Sequence, residues 1–174
     1  MNEKQLRKIL NKKEVLNKRI EGYLKHKILV KQEVDSKEIS GHIAKAEHNA
    51  EFVKDTLERG YSDWAVVGCY YAAYHMALAL ILKKGFSSKN HDATLCILIK
   101  EYYDKELSGS DIELLNKVYL NNEDILFYVK SKEEREKASY SSQIVFDKRN
   151  VEDLRMKTLE FVRKAREILN NAIK

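Results

Sequence analysis

The 174-residue chain contains no proline, only six glycines and only two cysteines. Proline interrupts helices and glycine weakens them, so their scarcity favours long, uninterrupted helices. Cys69 and Cys96 lie in apolar stretches without the spacing of metal ligands, and we expect both to be reduced core residues. The first residues lack the apolar segment of a signal peptide, so we expect a cytoplasmic protein. The sequence predicts neither a metal nor a cofactor.

One long apolar run stands out against this background. Residues 64–82 contain only Gly68 and His75 outside the broadly apolar classes. Its length is sufficient for a membrane span. However, three tyrosines and a histidine lie mid-run, and their polar atoms need hydrogen-bond partners that hydrocarbon does not supply. We therefore predict the central helix of a bundle rather than a membrane helix, with Gly68 allowing another helix to approach closely.

The net charge of +5 is unevenly distributed. Residues 1–34 hold ten Lys and Arg against four Glu, whereas the rest of the chain holds 22 basic and 23 acidic residues. Three interpretations of this basic segment remain open. Its lysines, Lys8, Lys12 and Lys13 among them, could bind RNA phosphates; its apolar stripe could pack on the bundle or on a second subunit; or it could be a solvated helix.

Hydrophobic periodicity predicts an all-α protein. Residues 3–32 carry a helical apolar stripe, and Asp35 with Glu38 forms a capping box that opens the next helix. Further amphipathic segments follow, with no internal repeat and no convincing strand. We predict a helical extension at residues 1–34 and an up-and-down bundle of about five helices at residues 35–174.

Three elements of the sequence resemble HEPN domains, which are small all-helical domains often encoded beside a minimal nucleotidyltransferase. They are K-A-E-H-N-A at residues 45–50, Y-Y-A-A-Y-H-M-A-L-A-L-I-L-K-K-G-F at residues 70–86 followed by His91, and R-x-x-A-x-Y at residues 135–140. The resemblance covers residues 35–173. It implies a prokaryotic, toxin-type or RNA- or nucleotide-binding protein that forms a homodimer and acts with a minimal nucleotidyltransferase.

The resemblance also indicates candidate site residues. Active HEPN domains are metal-independent endoribonucleases that use an Arg and a His separated by four to six intervening residues. Arg135 would hold the phosphate in a bidentate manner, with Lys132 and Lys137 beside it. The matching later position is Tyr140, and no histidine follows His91. Since an unperturbed tyrosine titrates near pH ~10, Tyr140 is a poor general base.

Several roles therefore stay open for these residues. Tyr140 could orient a phosphate or act as a weak acid, and His91 could serve as a substitute base or phosphate contact. In some HEPN systems the partner attaches nucleotides to a tyrosine near this motif, which makes Tyr140 a candidate for modification. Alternatively, Arg135 anchors a helix end, His91 is structural, and the domain is a catalytically inactive module that binds a nucleotide or the nucleotidyltransferase partner.

Overall fold

A computed structural model describes residues 1–120 and 147–171. Its elements run in the order α1 (Glu3–Asn11), α2 (Lys13–Lys25), β1 (Leu29–Lys31), α3 (Ser36–Glu58), α4 (Ser62–Lys83), β2 (Phe86–Ser88), α5 (His91–Tyr102), α6 (helical at residues 109–120) and α7 (Lys148–Asn171). The predicted all-α bundle is confirmed. Lys132, Arg135, Lys137 and Tyr140 lie outside the described residues.

The α3–α4 hairpin is the framework of the bundle. The Asp35 carboxylate accepts hydrogen bonds from the backbone N–H groups of Lys37 and Glu38, at 2.8 and 3.3 Å, which confirms the predicted helix start. The turn between the helices uses Gly60 at φ +83°. A Cβ atom at Gly68 would lie 2.5 Å from Val53 Cγ2. The absence of a side chain there lets α4 approach α3, as the sequence predicted.

Helix α4 lies at the centre of the molecule. It packs against α3, α5 and α7, and thirteen of its residues are buried. Among the described residues it is the one helix long and apolar enough to cross a membrane, but 72% of its most apolar window is buried inside the protein. Burial on this scale is expected of the core helix that the sequence predicted.

The basic N-terminal segment packs on its own bundle. Four residues of its apolar stripe belong to the hydrophobic core, namely Leu6, Ile9, Leu16 and Ile20. Helix α2 contacts α5, and the Asn116 side chain donates a hydrogen bond to the carbonyl of Met1 at 3.0 Å. Lys8, Lys12 and Lys13 are exposed on the opposite side. The stripe is thus occupied within the subunit, whereas RNA binding by the lysines and the domain boundary at residue 34 stay predictions.

Two details of the predicted secondary structure were wrong. The extension is two helices rather than one, because Lys12 between them is extended at φ −130°, ψ 94°. The chain also forms two strands, which pair antiparallel with Leu29 opposite Ser88. Each strand has three residues, too few for an alternating pattern to be recognised, and the partners are far apart in the sequence. This small sheet joins the extension to the α4–α5 connection.

Candidate functional site

The described part of the candidate site is centred on His91, the first residue of α5. The Asn90 side chain caps this helix by accepting a hydrogen bond from the N–H of Ala93 at 2.9 Å. Because α5 begins beside α4 and α6, the imidazole is placed among tyrosines from both helices. Arg135 and Tyr140, which the sequence predicts to act with His91, lie outside the described residues.

Three tyrosines hold the His91 ring. Its Nε2 atom is hydrogen-bonded to the Tyr70 hydroxyl at 3.1 Å. The ring stacks on Tyr119 with centroids 4.6 Å apart and meets the edge of Tyr74 at 4.8 Å. The Nδ1 atom is buried as well. We refer to His91, Tyr70, Tyr74 and Tyr119 as the aromatic cluster, and its contacts fix the orientation of the imidazole.

Two tyrosines of the cluster, Tyr74 and Tyr119, are poor bases at neutral pH. Burial raises the pKa of Tyr74 above its ordinary value, and it raises the pKa of the fully buried Tyr119 further. Both hydroxyls therefore stay protonated at neutrality. In this state a tyrosine can donate a hydrogen bond, but it does not accept a proton readily.

A pair of histidines forms a second feature, which the sequence did not predict. His42 on α3 and His75 on α4 approach with their Nδ1 atoms 2.9 Å apart. Burial lowers the pKa of both rings, and Lys45 adds to the effect; the pKa of His75 falls to about 4. Both are neutral at pH 7, so one Nδ1–H donates to the other Nδ1. The two histidines are 33 residues apart in the chain, and a contact between two helices leaves no spacing signal within either one.

An open cavity of about 610 Å³ lies beside His42. It is bounded by the α2–β1 turn, the first turns of α3, the end of α4 and the loop from β2 to α5. The apolar side chains that line it include Ile28, Val30, Leu78 and Leu82. We refer to this space as the extension cavity, because residues of the N-terminal extension form one of its sides. In the part of the chain that the structure describes, no group of three or more acidic, cysteine or histidine residues could hold a metal ion.

Comparison with protein families identifies the fold. The model of the HEPN domain matches residues 39–171. This chain belongs to the HEPN family. The family is nucleotide- and RNA-related and of toxin type. No curated protein matches the chain.

The HEPN match contains the aromatic cluster, the histidine pair and both residues of the R-x-x-A-x-Y motif. It begins inside α3, so α1, α2 and β1 lie before it. The extension cavity is therefore built partly from the HEPN domain, through His42, Leu78 and Leu82, and partly from residues that precede the match, through Lys27 and Ile28. The cavity is a composite of the two.

Lys27 has an unusual backbone conformation at the edge of that cavity. Helix α2 ends in a Schellman motif, in which the N–H of Ile28 donates to the carbonyl of Tyr23 and the N–H of Lys27 donates to that of Leu24. The motif places Lys27 in the left-handed region at φ +55°, where glycine is the usual residue. A side chain in this region costs about 1 kcal/mol relative to glycine.

Proposed function

We propose that this HEPN protein is a toxin-type, RNA- or nucleotide-binding component that acts as a homodimer with a minimal nucleotidyltransferase, and that it binds RNA without cleaving it. The observation that carries the proposal is the position of His91. The family's catalytic histidine is replaced by Tyr140, and the aromatic cluster engages His91, the best substitute in the sequence.

A general base must present a ring nitrogen to the hydroxyl group that it deprotonates. The Nε2 atom of His91 is hydrogen-bonded to Tyr70, and its Nδ1 atom is buried. This arrangement favours a structural role, in which His91 joins the start of α5 to α4 and α6. It follows that His91 is poorly placed to serve as a base.

The histidine pair is no better suited to the chemistry. Each Nδ1 atom is directed at the other ring, and the pKa of both imidazoles is lowered. A base with a pKa of about 4 has little driving force to accept a proton at neutral pH. These features support a protein that has kept the HEPN fold while losing the acid–base group.

The proposed phosphate contact rests on Arg135. A guanidinium group stays charged at any physiological pH and presents two parallel N–H donors to a phosphate. Lys132 and Lys137 add positive charge within three residues. The affinity from such contacts falls as the salt concentration rises, and it depends little on the base sequence of the RNA.

Binding of labelled RNA at a series of salt concentrations tests this role. Arg135→Ala is expected to weaken binding by about tenfold or more, since a charge-assisted hydrogen bond is lost. Arg149→Ala, at an exposed residue near the start of α7, is the matched control and should bind as the wild type does. Equal affinity of both variants would remove Arg135 from the binding surface.

A second candidate function is metal-independent RNA cleavage by Arg135 and Tyr140. It is favoured by the spacing of these two residues, which matches that of the family's catalytic pair. In this mechanism Arg135 would hold the scissile phosphate while the Tyr140 hydroxyl orients it or donates a proton to the leaving oxygen. The high ordinary pKa of tyrosine makes this a slow catalyst at neutral pH.

Tyr140 is also the proposed acceptor for the partner enzyme. Incubation of the protein with the nucleotidyltransferase and a nucleoside triphosphate should join the α-phosphate to the Tyr140 oxygen with release of pyrophosphate and of the hydroxyl proton, detected as a mass increase of the intact chain by one nucleotidyl group. Tyr140→Phe should abolish the increase, whereas Tyr61→Phe, at an exposed tyrosine of the α3–α4 turn, should retain it. Modification that persists in Tyr140→Phe would assign the acceptor elsewhere.

A further inference from the structure

We propose that the extension cavity binds a small organic anion that carries its charge on an apolar body. The described residues that line it lie between positions 27 and 90 of the chain. It includes residues that precede the HEPN match, so it is a property of this chain's extension together with the domain. The proposal does not depend on RNA binding.

The size and lining of the cavity define the body of the ligand. A volume of about 610 Å³ lies within the range of small-molecule sites. Ile28 and Val30 are 40% and 45% exposed, and they face this space together with Leu78 and Leu82. Covering these side chains with an apolar group removes their surface from water, which favours binding. The Tyr74 ring, at the same wall, offers a flat contact surface.

The charges at the edge of the cavity define the head of the ligand. Lys27 and Lys89 both line it and both are exposed, so each ammonium group is free to turn toward a bound anion. The acidic residue of the lining, Glu38, accepts a hydrogen bond from the Gln32 side chain at 3.0 Å. His42 is neutral because of its lowered pKa. Two lysines against one carboxylate favour an anionic group at the cavity mouth.

The backbone of Lys27 adds an independent argument. Glycine at this Schellman position would avoid the steric cost of a side chain at φ +55°. The chain instead has a lysine there, and that lysine lines the cavity. Strained backbone conformations cluster at active sites and ligand-binding segments. We infer that Lys27 is kept at a cost to stability because its ammonium group contacts the ligand.

The test combines stability with ligand binding in one variant. Lys27→Gly should shift the urea midpoint upward, because the backbone strain is relieved, and should weaken binding of a cavity probe by about tenfold, because a charge-assisted contact is lost. The probes are adenosine monophosphate and decanoate, measured by calorimetry on the full chain. Adenosine, which lacks the anionic group, and inorganic phosphate, which lacks the nucleoside, serve as comparisons. Both should bind more weakly than adenosine monophosphate.

Matched variants separate the strain from the charge. Asp104→Gly, at the other left-handed non-glycine residue of the described chain (φ +59°), should raise stability without changing affinity. Lys27→Gln should weaken binding without the gain in stability, and Lys31→Gln, a neighbouring lysine outside the lining, should bind normally.

The two probes decide the source of the anion. Binding of adenosine monophosphate that depends on Lys27 would indicate a phosphorylated nucleoside, and binding of decanoate that depends on Lys27 would indicate a carboxylate with an acyl chain. The proposal would be overturned if neither probe binds. It would also be overturned if the probes bind the wild type and both Lys27 variants with the same affinity. RNA binding through Arg135 should be unaffected by Lys27→Gly, so failure of the RNA-binding proposal would be recognised separately.

Discussion

At the scale of single residues, the histidine pair makes the stability of the fold depend on pH. His42 and His75 are neutral when folded because burial lowers the pKa of both rings. In the unfolded chain each ring has its ordinary pKa near 6.5. The unfolded state therefore binds protons more readily, and protonation favours unfolding. The stability that depends on the neutral pair is fully present above pH ~6.5 and is lost as the pH falls toward 4.

The free energy of unfolding should decrease by about 1 kcal/mol between pH 7.5 and pH 4.5 through this pair, a figure reduced for solvent screening because both rings are only half-buried. Urea unfolding of the wild type and of His75→Gln at several pH values measures the effect. The variant should show a shallower pH dependence. His48→Gln, an exposed histidine on the same helix as His42, should keep the wild-type dependence. Identical curves for all three proteins would show that the pair does not titrate on unfolding.

At the scale of secondary-structure elements, the contact between α3 and α4 depends on the glycine at position 68. A Cβ atom there would overlap Val53 and would lie 3.2 Å from Phe52. Gly68→Ala should therefore lower the free energy of unfolding by about 1–3 kcal/mol, as overpacking of a core does. Gly41→Ala provides the control on α3, where nothing lies within 4 Å of the added atom. Because alanine favours helix, Gly41→Ala should leave stability equal or raise it by up to about 1 kcal/mol. If Gly68→Ala left the free energy of unfolding unchanged, α3 and α4 would be able to move apart without loss of stability.

The extension provides a second test at this scale. Ile9 is only 1% exposed and lies within the core. Ile9→Ala should cost about 2–4 kcal/mol of unfolding free energy if α1 is an integral part of the fold. The triple replacement of Lys8, Lys12 and Lys13 by Glu changes exposed residues and should alter stability little. A stable Ile9→Ala protein would indicate that α1 does not contribute to the fold. RNA binding by the triple variant would show separately whether the basic face contacts RNA.

The elements differ in how well the sequence predicts them. The helix start at Asp35 and the close approach at Gly68 were predicted correctly, because each depends on residues near one another in the chain or on one side of a helix. The strands β1 and β2 were missed because their pairing joins two segments on either side of the α3–α4 hairpin. The aromatic cluster and the histidine pair arise from packing between helices. The sequence contains their residues, but composition and spacing do not predict that these residues are in contact. The extension cavity has the same origin.

At the scale of the whole molecule, the chain combines a HEPN domain with an N-terminal segment that completes its core. The domain supplies the R-x-x-A-x-Y motif and the aromatic cluster, whereas the α2–β1 turn and β1 supply one side of the extension cavity. The proposed RNA contact and the proposed small-molecule site thus use different segments of the sequence. A ligand in the extension cavity would contact both the α2–β1 turn and α4, and it should stabilise the folded chain by an amount that rises with the logarithm of the ligand concentration divided by its Kd.

The central claim, that this HEPN protein binds RNA without cleaving it, is tested most directly by incubating the purified protein with RNA in EDTA. Wild type, Arg135→Ala and Tyr140→Phe are compared over time by the integrity of the RNA, with binding measured in the same samples. We predict intact RNA with all three proteins and a loss of binding in Arg135→Ala. Cleavage by the wild type that disappears in Arg135→Ala would contradict the claim and establish a metal-independent ribonuclease that works without the family's histidine.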